Sequence, residues 1–229
     1  MNVDLIHKLD SVYDRMRKLQ AQHNMLETRC IGSGICCKIG LRIPLAECYN
    51  IAFNLKKEYL KLWESEGKEV ADNWWHDKIQ KLLNAFDEPN WSHENPEAVD
   101  KHCAFYENGC SIYSYRPMVC RAYGVIMPVK YTCPRKRLSD GGHELFFGSE
   151  EVESMLDSYD EVIDEFADMN PDELDYTVYM PFGVLRFLLG KDKLLELIKS
   201  IDPKFTLGVP GNPHVMHYLD WQKESESEV

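Results

Sequence analysis

Seven of the eight cysteines in this 229-residue chain fall into two knots. The first reads Cys30-Ile-Gly32-Ser33-Gly34-Ile-Cys36-Cys37, and the second runs from Cys103 through Cys110 and Cys120 to Cys133. Cys48 stands alone between them, and no cysteine follows Cys133. The opening residues, Met-Asn-Val-Asp-Leu-Ile-His-Lys, are amphipathic and lack a secretory apolar core, so a reducing, cytoplasmic setting is expected. Clustered thiols in that setting bind metal or do redox chemistry rather than form disulfide staples. Inert core thiols would be scattered, which these are not.

A zinc site takes four nitrogen or sulfur ligands, and a simple iron–sulfur cluster takes four cysteines. Seven or eight thiols exceed one such site. Their spacings match neither the Cys-x2-Cys pairs of a zinc ribbon nor the bacterial ferredoxin run. Soft thiolates accept zinc and iron alike, so the residues leave both open. The candidate ligands are Cys30, Cys36, Cys37, Cys103, Cys110, Cys120 and Cys133. Cys48 is a candidate eighth, with a plain core thiol as its alternative. Gly32 and Gly34 allow the first knot the tight bends of a metal-wrapping loop. Arg116, Arg121, Lys130, Arg135, Lys136 and Arg137 place cations beside the second knot, where they would offset thiolate charge.

The block Cys110-Ser-Ile112-Tyr113-Ser-Tyr-Arg116-Pro117-Met-Val-Cys120-Arg121, with Cys103 before it and Cys133 after it, resembles the YkgJ-like CxxCxxCC family. The resemblance spans about residues 30 to 135 and implies a domain that chelates zinc or iron through the two knots. It favours iron or an iron–sulfur cluster, with zinc as the alternative. It also makes Tyr113 and Arg116 supports of the ligands and Arg121 a charge partner. In the first knot Ser33 stands where the family's second Cys falls, and a hydroxyl is a far poorer ligand for these metals. The site would then be open there, or Cys48 would substitute. Relatives of the family carry oxidoreductase and lysine-methylase labels, from which no catalytic residue transfers.

Helices must position these loops. Residues 3 to 27 read as a helix capped by Asn2, with Leu5, Leu9, Val12, Met16, Leu19, His23 and Leu26 in a heptad seam. That seam would serve a homodimer or another protein partner, or dock on its own domain. Pro44 opens a helix to about Glu66 with Leu45, Tyr49, Ala52 or Phe53, and Leu60 on one stripe. A further helix spans about Lys68 to Asp87, with Trp74 and Trp75 packed at its edge. Tyr123 to Val129 reads as a short strand broken by Pro128. Val152, Met155, Tyr159, Val162 and Phe166 mark an amphipathic helix, and Asp175 to Met180 a short strand. Helices follow from Pro181 to Leu189 and from Asp192 to Ile201. Gly208 to Pro213 reads as loop, and His214 and His217 have helical ligand spacing without a third ligand.

Of the 38 Asp and Glu, twelve fall between Glu150 and Asp175 with no Lys or Arg among them, which leaves 26 to balance the 26 Lys and Arg. The net charge of −12 is therefore concentrated in this one acidic stretch, whose helical part is read as a solvated face. A nucleic-acid-binding protein would need a basic stripe, so that class is excluded, and no apolar run reaches membrane-span length. The expected architecture is mainly α, with helices around a loop-rich cysteine centre and at most short strands. Its parts are an N-terminal helix (1–28), a cysteine core (29–138), a C-terminal helical part (139–220) and a frayed tail (221–229). The expected function is a cytoplasmic metal-binding protein with a structural or redox role. One alternative is a metal- or cluster-dependent enzyme with Ser33, His102 or His143 lining its pocket. The other is a zinc-stabilised interaction adaptor.

Overall fold

The apolar stripe of the N-terminal helix, α1 (Val3–Gln22), is buried within the chain itself: Leu5, Leu9, Val12, Met16 and Leu19 are all in the core. It packs on the acidic helix, α5 (Glu150–Met169), whose Val152, Met155, Val162 and Phe166 form the matching buried face. Polar links run along the edges of the pair. Lys8 Nζ meets the Glu165 carboxylate at 2.7 Å, and the Arg15 guanidinium donates to Ser158 Oγ at 2.8 Å. Of the two readings of the seam, the described part from Leu5 to Leu19 takes the intramolecular one, because α5 offers it an apolar face; His23 and Leu26 lie outside the described residues. Ser149 starts α5, its Oγ accepting the Val152 N–H, and Glu150, Glu151 and Glu153 favour the positive end of the helix dipole.

The computed structural model describes residues 3–22, 37, 41–85, 102–122, 149–170 and 177–201. Among these the protein is mainly α, as the periodicity predicts, with one two-stranded sheet. Strand β1 (Arg42–Pro44) precedes α2 (Leu45–Glu66), and α3 (Lys68–Asn84) follows it. After a short 3-10 turn (Tyr113–Tyr115) come α4 (Met118–Ala122), α5, β2 (Thr177–Tyr179), α6 (Met180–Leu189) and α7 (Lys191–Ile201). The expected strand 123–129, the 208–213 loop, and His143, His214 and His217 lie outside the described residues.

Helix α2 is the centre of the fold and packs on α3, α6, α1 and α5. Its buried face is Leu45, Cys48, Ile51, Ala52 and Leu55. Leu60, expected on that stripe, is 51% exposed, because the core ends about one turn earlier. At Gly67 the backbone takes φ +95°, a conformation costly to other residues, and the chain passes directly from α2 to α3. The two helices meet through Tyr59, whose ring lies edge-on to Trp75 and whose hydroxyl donates to Asp72 at 2.8 Å.

Strand β1 pairs antiparallel with β2, Ile43 opposite Val178, and so ties the start of α2 to the start of α6. Two three-residue strands have too little alternation to be read from β1 alone; only β2 is visible as a pattern. Helix α6 then crosses α2 closely at Gly183. A methyl group on Gly183 would run into Cys48 Sγ and stand 2.6 Å from Val178 Cγ2. Glycine at this position is a packing requirement.

Candidate metal centre

The two cysteine knots meet at one backbone hydrogen bond: the Cys103 N–H donates to the Cys37 carbonyl at 2.6 Å. Cys30 and Cys36 of the first knot, with Ser33, and Cys133 of the second lie outside the described residues. Cys37, Cys103, Cys110 and Cys120 are half-buried, at the boundary between core and solvent. Cys48 differs. It is fully buried against α6, and burial pushes its thiol pKa well up, which keeps it protonated.

Between Cys103 and Cys110 the chain makes a tight loop. The Tyr106 N–H donates to the Cys103 carbonyl at 2.9 Å, Tyr106 and Cys110 form an isolated antiparallel bridge, and Asn108 supplies the left-handed turn residue at φ 56°. Asn tolerates that region better than most side chains. The loop is fastened on both sides. Phe105 is buried in the core, and its carbonyl accepts both the N–H and the Oγ hydroxyl of Ser111. His102 stacks on Tyr106 with ring centres 4.3 Å apart. Glu107 reaches α3, where Lys78 Nζ at 2.6 Å and Lys81 Nζ at 2.7 Å share one carboxylate oxygen. Burial alone would raise the Glu107 pKa, but the two ammonium groups outweigh it and hold the carboxyl below its usual range.

From Cys110 to Cys120 the spacing has a mechanical reading. Ile112 and Tyr115 turn into the core, and the Tyr115 hydroxyl donates to Glu58 on α2 at 3.0 Å. Arg116 lies over the Tyr113 ring, with 3.9 Å between guanidinium carbon and ring centre. Pro117 leads into α4, and its carbonyl accepts the N–H groups of Cys120 and Arg121. The Arg121 side chain folds back to donate to the carbonyls of Ser114 at 2.6 Å and Arg116 at 2.9 Å. Its guanidinium rests on the face of Tyr13 of α1, 4.2 Å away, and its burial depresses its pKa. Arg121 thus braces the turn that carries Cys120, in addition to placing a cation beside it.

Sequence reasoning missed Glu47. This carboxylate is buried at the start of α2 and collects donors from three other elements. The Tyr13 hydroxyl of α1 donates at 2.7 Å, the Met118 N–H of α4 at 2.6 Å, and the Tyr159 hydroxyl of α5 donates as well. Burial raises the Glu47 pKa against these hydrogen bonds, which act to lower it. Both tyrosines are driven upward, first by burial and then by the neighbouring carboxylate. The one signal in the sequence was an acid set between Ala46 and Cys48 in the first turn of the helix.

Among the described residues no three His, Cys, Asp or Glu side chains stand close enough together to hold a metal ion. A four-donor centre would therefore combine described cysteines with Cys30, Cys36 or Cys133. A groove of 610 Å³ lies between α3 and α7, lined by Trp75, His76, Lys193 and Glu196 among others, and none of the described cysteines lines it. No helix among the described residues is long and apolar enough to cross a membrane. Residues 29–134 match a protein family described as CxxCxxCC, a "putative zinc- or iron-chelating domain". No curated protein and no solved structure matches the chain.

Proposed function

We propose that the chain holds a metal through thiolates of both knots, a reading supported by the match of residues 29–134 to the CxxCxxCC family, described as a "putative zinc- or iron-chelating domain". The ligands in this reading are drawn from Cys30, Cys36, Cys37, Cys103, Cys110, Cys120 and Cys133. The observation that carries it is the hydrogen bond from Cys103 to Cys37, which brings knots 66 residues apart in the chain into contact. Cys48 is assigned to the core on its complete burial and its close approach to Gly183 of α6. Ser33 then leaves the family's second ligand position to another donor or to an open coordination site.

The donor set fits zinc or iron. Thiolates are soft ligands suited to both, and the four described candidates sit on turns at the edge of the core, not within it. Arg116 Nε is buried and has no hydrogen-bond partner among the described residues, four positions before Cys120. A buried donor of that kind is satisfied by an anionic thiolate centre. The bound group would supply structural closure of the loops or, as an iron–sulfur cluster, one-electron transfer. The protein's part is to present the thiolates: α3 holds the 103–110 loop through Glu107, and Arg121 braces the Cys120 turn.

Anaerobic purification followed by iron, zinc and sulfide analysis and visible absorption tests this reading. Thiolate-bound metal that falls on Cys103→Ala and Cys120→Ala, but not on Cys48→Ala, is the expected outcome. A colourless, metal-free and fully folded protein would refute it.

A further inference from the structure

We infer that Glu47 is a positioning residue of the metal centre, through which the flanking helices α1 and α5 set the orientation of the turn that bears Cys120. This rests on the thiolate reading above and adds a part of the chain outside residues 29–134 to the site.

The geometry is specific. One oxygen of Glu47 accepts the Met118 N–H at 2.6 Å and the Tyr13 hydroxyl at 2.7 Å, so α4 and α1 converge on the same atom. Met118 is the first residue of α4, and the Cys120 N–H is bonded to Pro117 inside the same turn. A five-residue helix cannot hold its own direction, since too few internal bonds offset its ordering entropy. Its direction is therefore imposed by Glu47 at its start and by Arg121 along its side. Arg121 rests on the same Tyr13 ring whose hydroxyl binds Glu47. Tyr159 of α5 donates to the carboxylate from another side. Both supports of the Cys120 turn thus pass through α1, and one of them also through α5.

A carboxylate buried at this cost is retained where its donors need a fixed acceptor. Every donor here belongs to a different element, and only one of them lies within the matched domain. The hub is therefore an organiser of the interface between that domain and the α1–α5 pair.

The test uses Co²⁺ added to the metal-free full-length chain, because thiolate–cobalt charge-transfer bands report the ligand geometry directly. Glu47→Gln keeps the size of the side chain but not an anionic acceptor for three donors. It is expected to shift those bands and to speed transfer of cobalt to a chelator about tenfold or more. Tyr159→Phe, which removes one donor, should fall between it and the wild type. Val162→Ala, a core truncation on α5 that removes no donor to Glu47, is the control and should lower the melting temperature without moving bands or transfer rate. Wild-type bands and transfer rate in E47Q would overturn the inference, as would equal changes in V162A. If E47Q does not fold, Y159F compared with V162A decides the matter in the same way. A wild-type chain that forms no thiolate–cobalt bands would overturn the metal reading itself, a failure visible before any substitution is made.

Discussion

The contact between α6 and α2 makes a quantitative prediction through Gly183→Ala. An ideal methyl there stands 2.6 Å from Val178 Cγ2 and 3.1 Å from Cys48 Cβ, and closer still to Cys48 Sγ. Val178 is fixed in the two-stranded sheet and Cys48 in the first turn of α2, directly after β1, so neither can move away without displacing an element. Overpacking of this kind costs about 1–3 kcal/mol. Alanine recovers about 1 kcal/mol of helix propensity over glycine. The net loss expected is about 0–2 kcal/mol. Cys48→Ala alone removes one buried sulfur and costs about 1 kcal/mol, as small core truncations do. In the double variant the new methyl enters space the sulfur has left, so the two losses should not add. The expected coupling is about 1 kcal/mol in favour of the double variant. Urea denaturation of the four proteins in one metal state measures the cycle, with bound metal determined on each. Additive losses within about 0.5 kcal/mol would refute the packing argument. Loss of metal from C48A would refute the assignment of Cys48 to the core.

Three further outcomes follow from other contacts. Glu107→Gln removes the carboxylate shared by Lys78 and Lys81 and should cost about 1 kcal/mol at neutral pH, a value reduced by the partial exposure of Glu107. Because the folded pKa of Glu107 is lowered, its contribution is present above the ordinary carboxyl range and is lost as pH falls through the depressed folded value. The acid limb of a stability–pH profile should therefore be shallower in E107Q than in the wild type, and superimposable limbs would count against the clamp. Leu9→Ala should cost about 2–5 kcal/mol of stability without changing the mass measured by light scattering, because the seam packs on α5. Ser149→Ala should cost about 1 kcal/mol by removing the cap of α5, seen as a lower urea midpoint with unchanged metal content.

Much of this molecule was legible in its residues. The helices from Leu45, Lys68 and Glu150 follow from apolar spacing near 3.6, which is local information carried by each segment. The match of residues 29–134 follows from cysteine spacing together with the Ile-Tyr and Arg-Pro residues. The concentration of acidic residues in the stretch that begins at Glu150 is also local. What local spacing could not supply was the partner of each face. The heptad seam of α1 suits a second copy and an intramolecular helix equally, and only the position of α5 decided between them. The exposure of Leu60 depends on where the core ends, not on which stripe it occupies.

The site divides the same way. Clustering and residue type pointed to thiolate chemistry, since only metal binding or redox work explains so many cysteines in two short segments. Tertiary structure decided how the segments are held. Cys37 and Cys103 meet across 66 positions, Glu107 is gripped by α3, and Cys48 is closed off by a glycine 135 residues later. Glu47 looked like one more acid near a helix start, and became a buried hub only because α1, α4 and α5 converge on it. The sequence alone determined which atoms could bind a metal. The packing of helices far apart in the chain determined which of the turns that carry them meet, because that choice depends on long-range burial that no local pattern encodes.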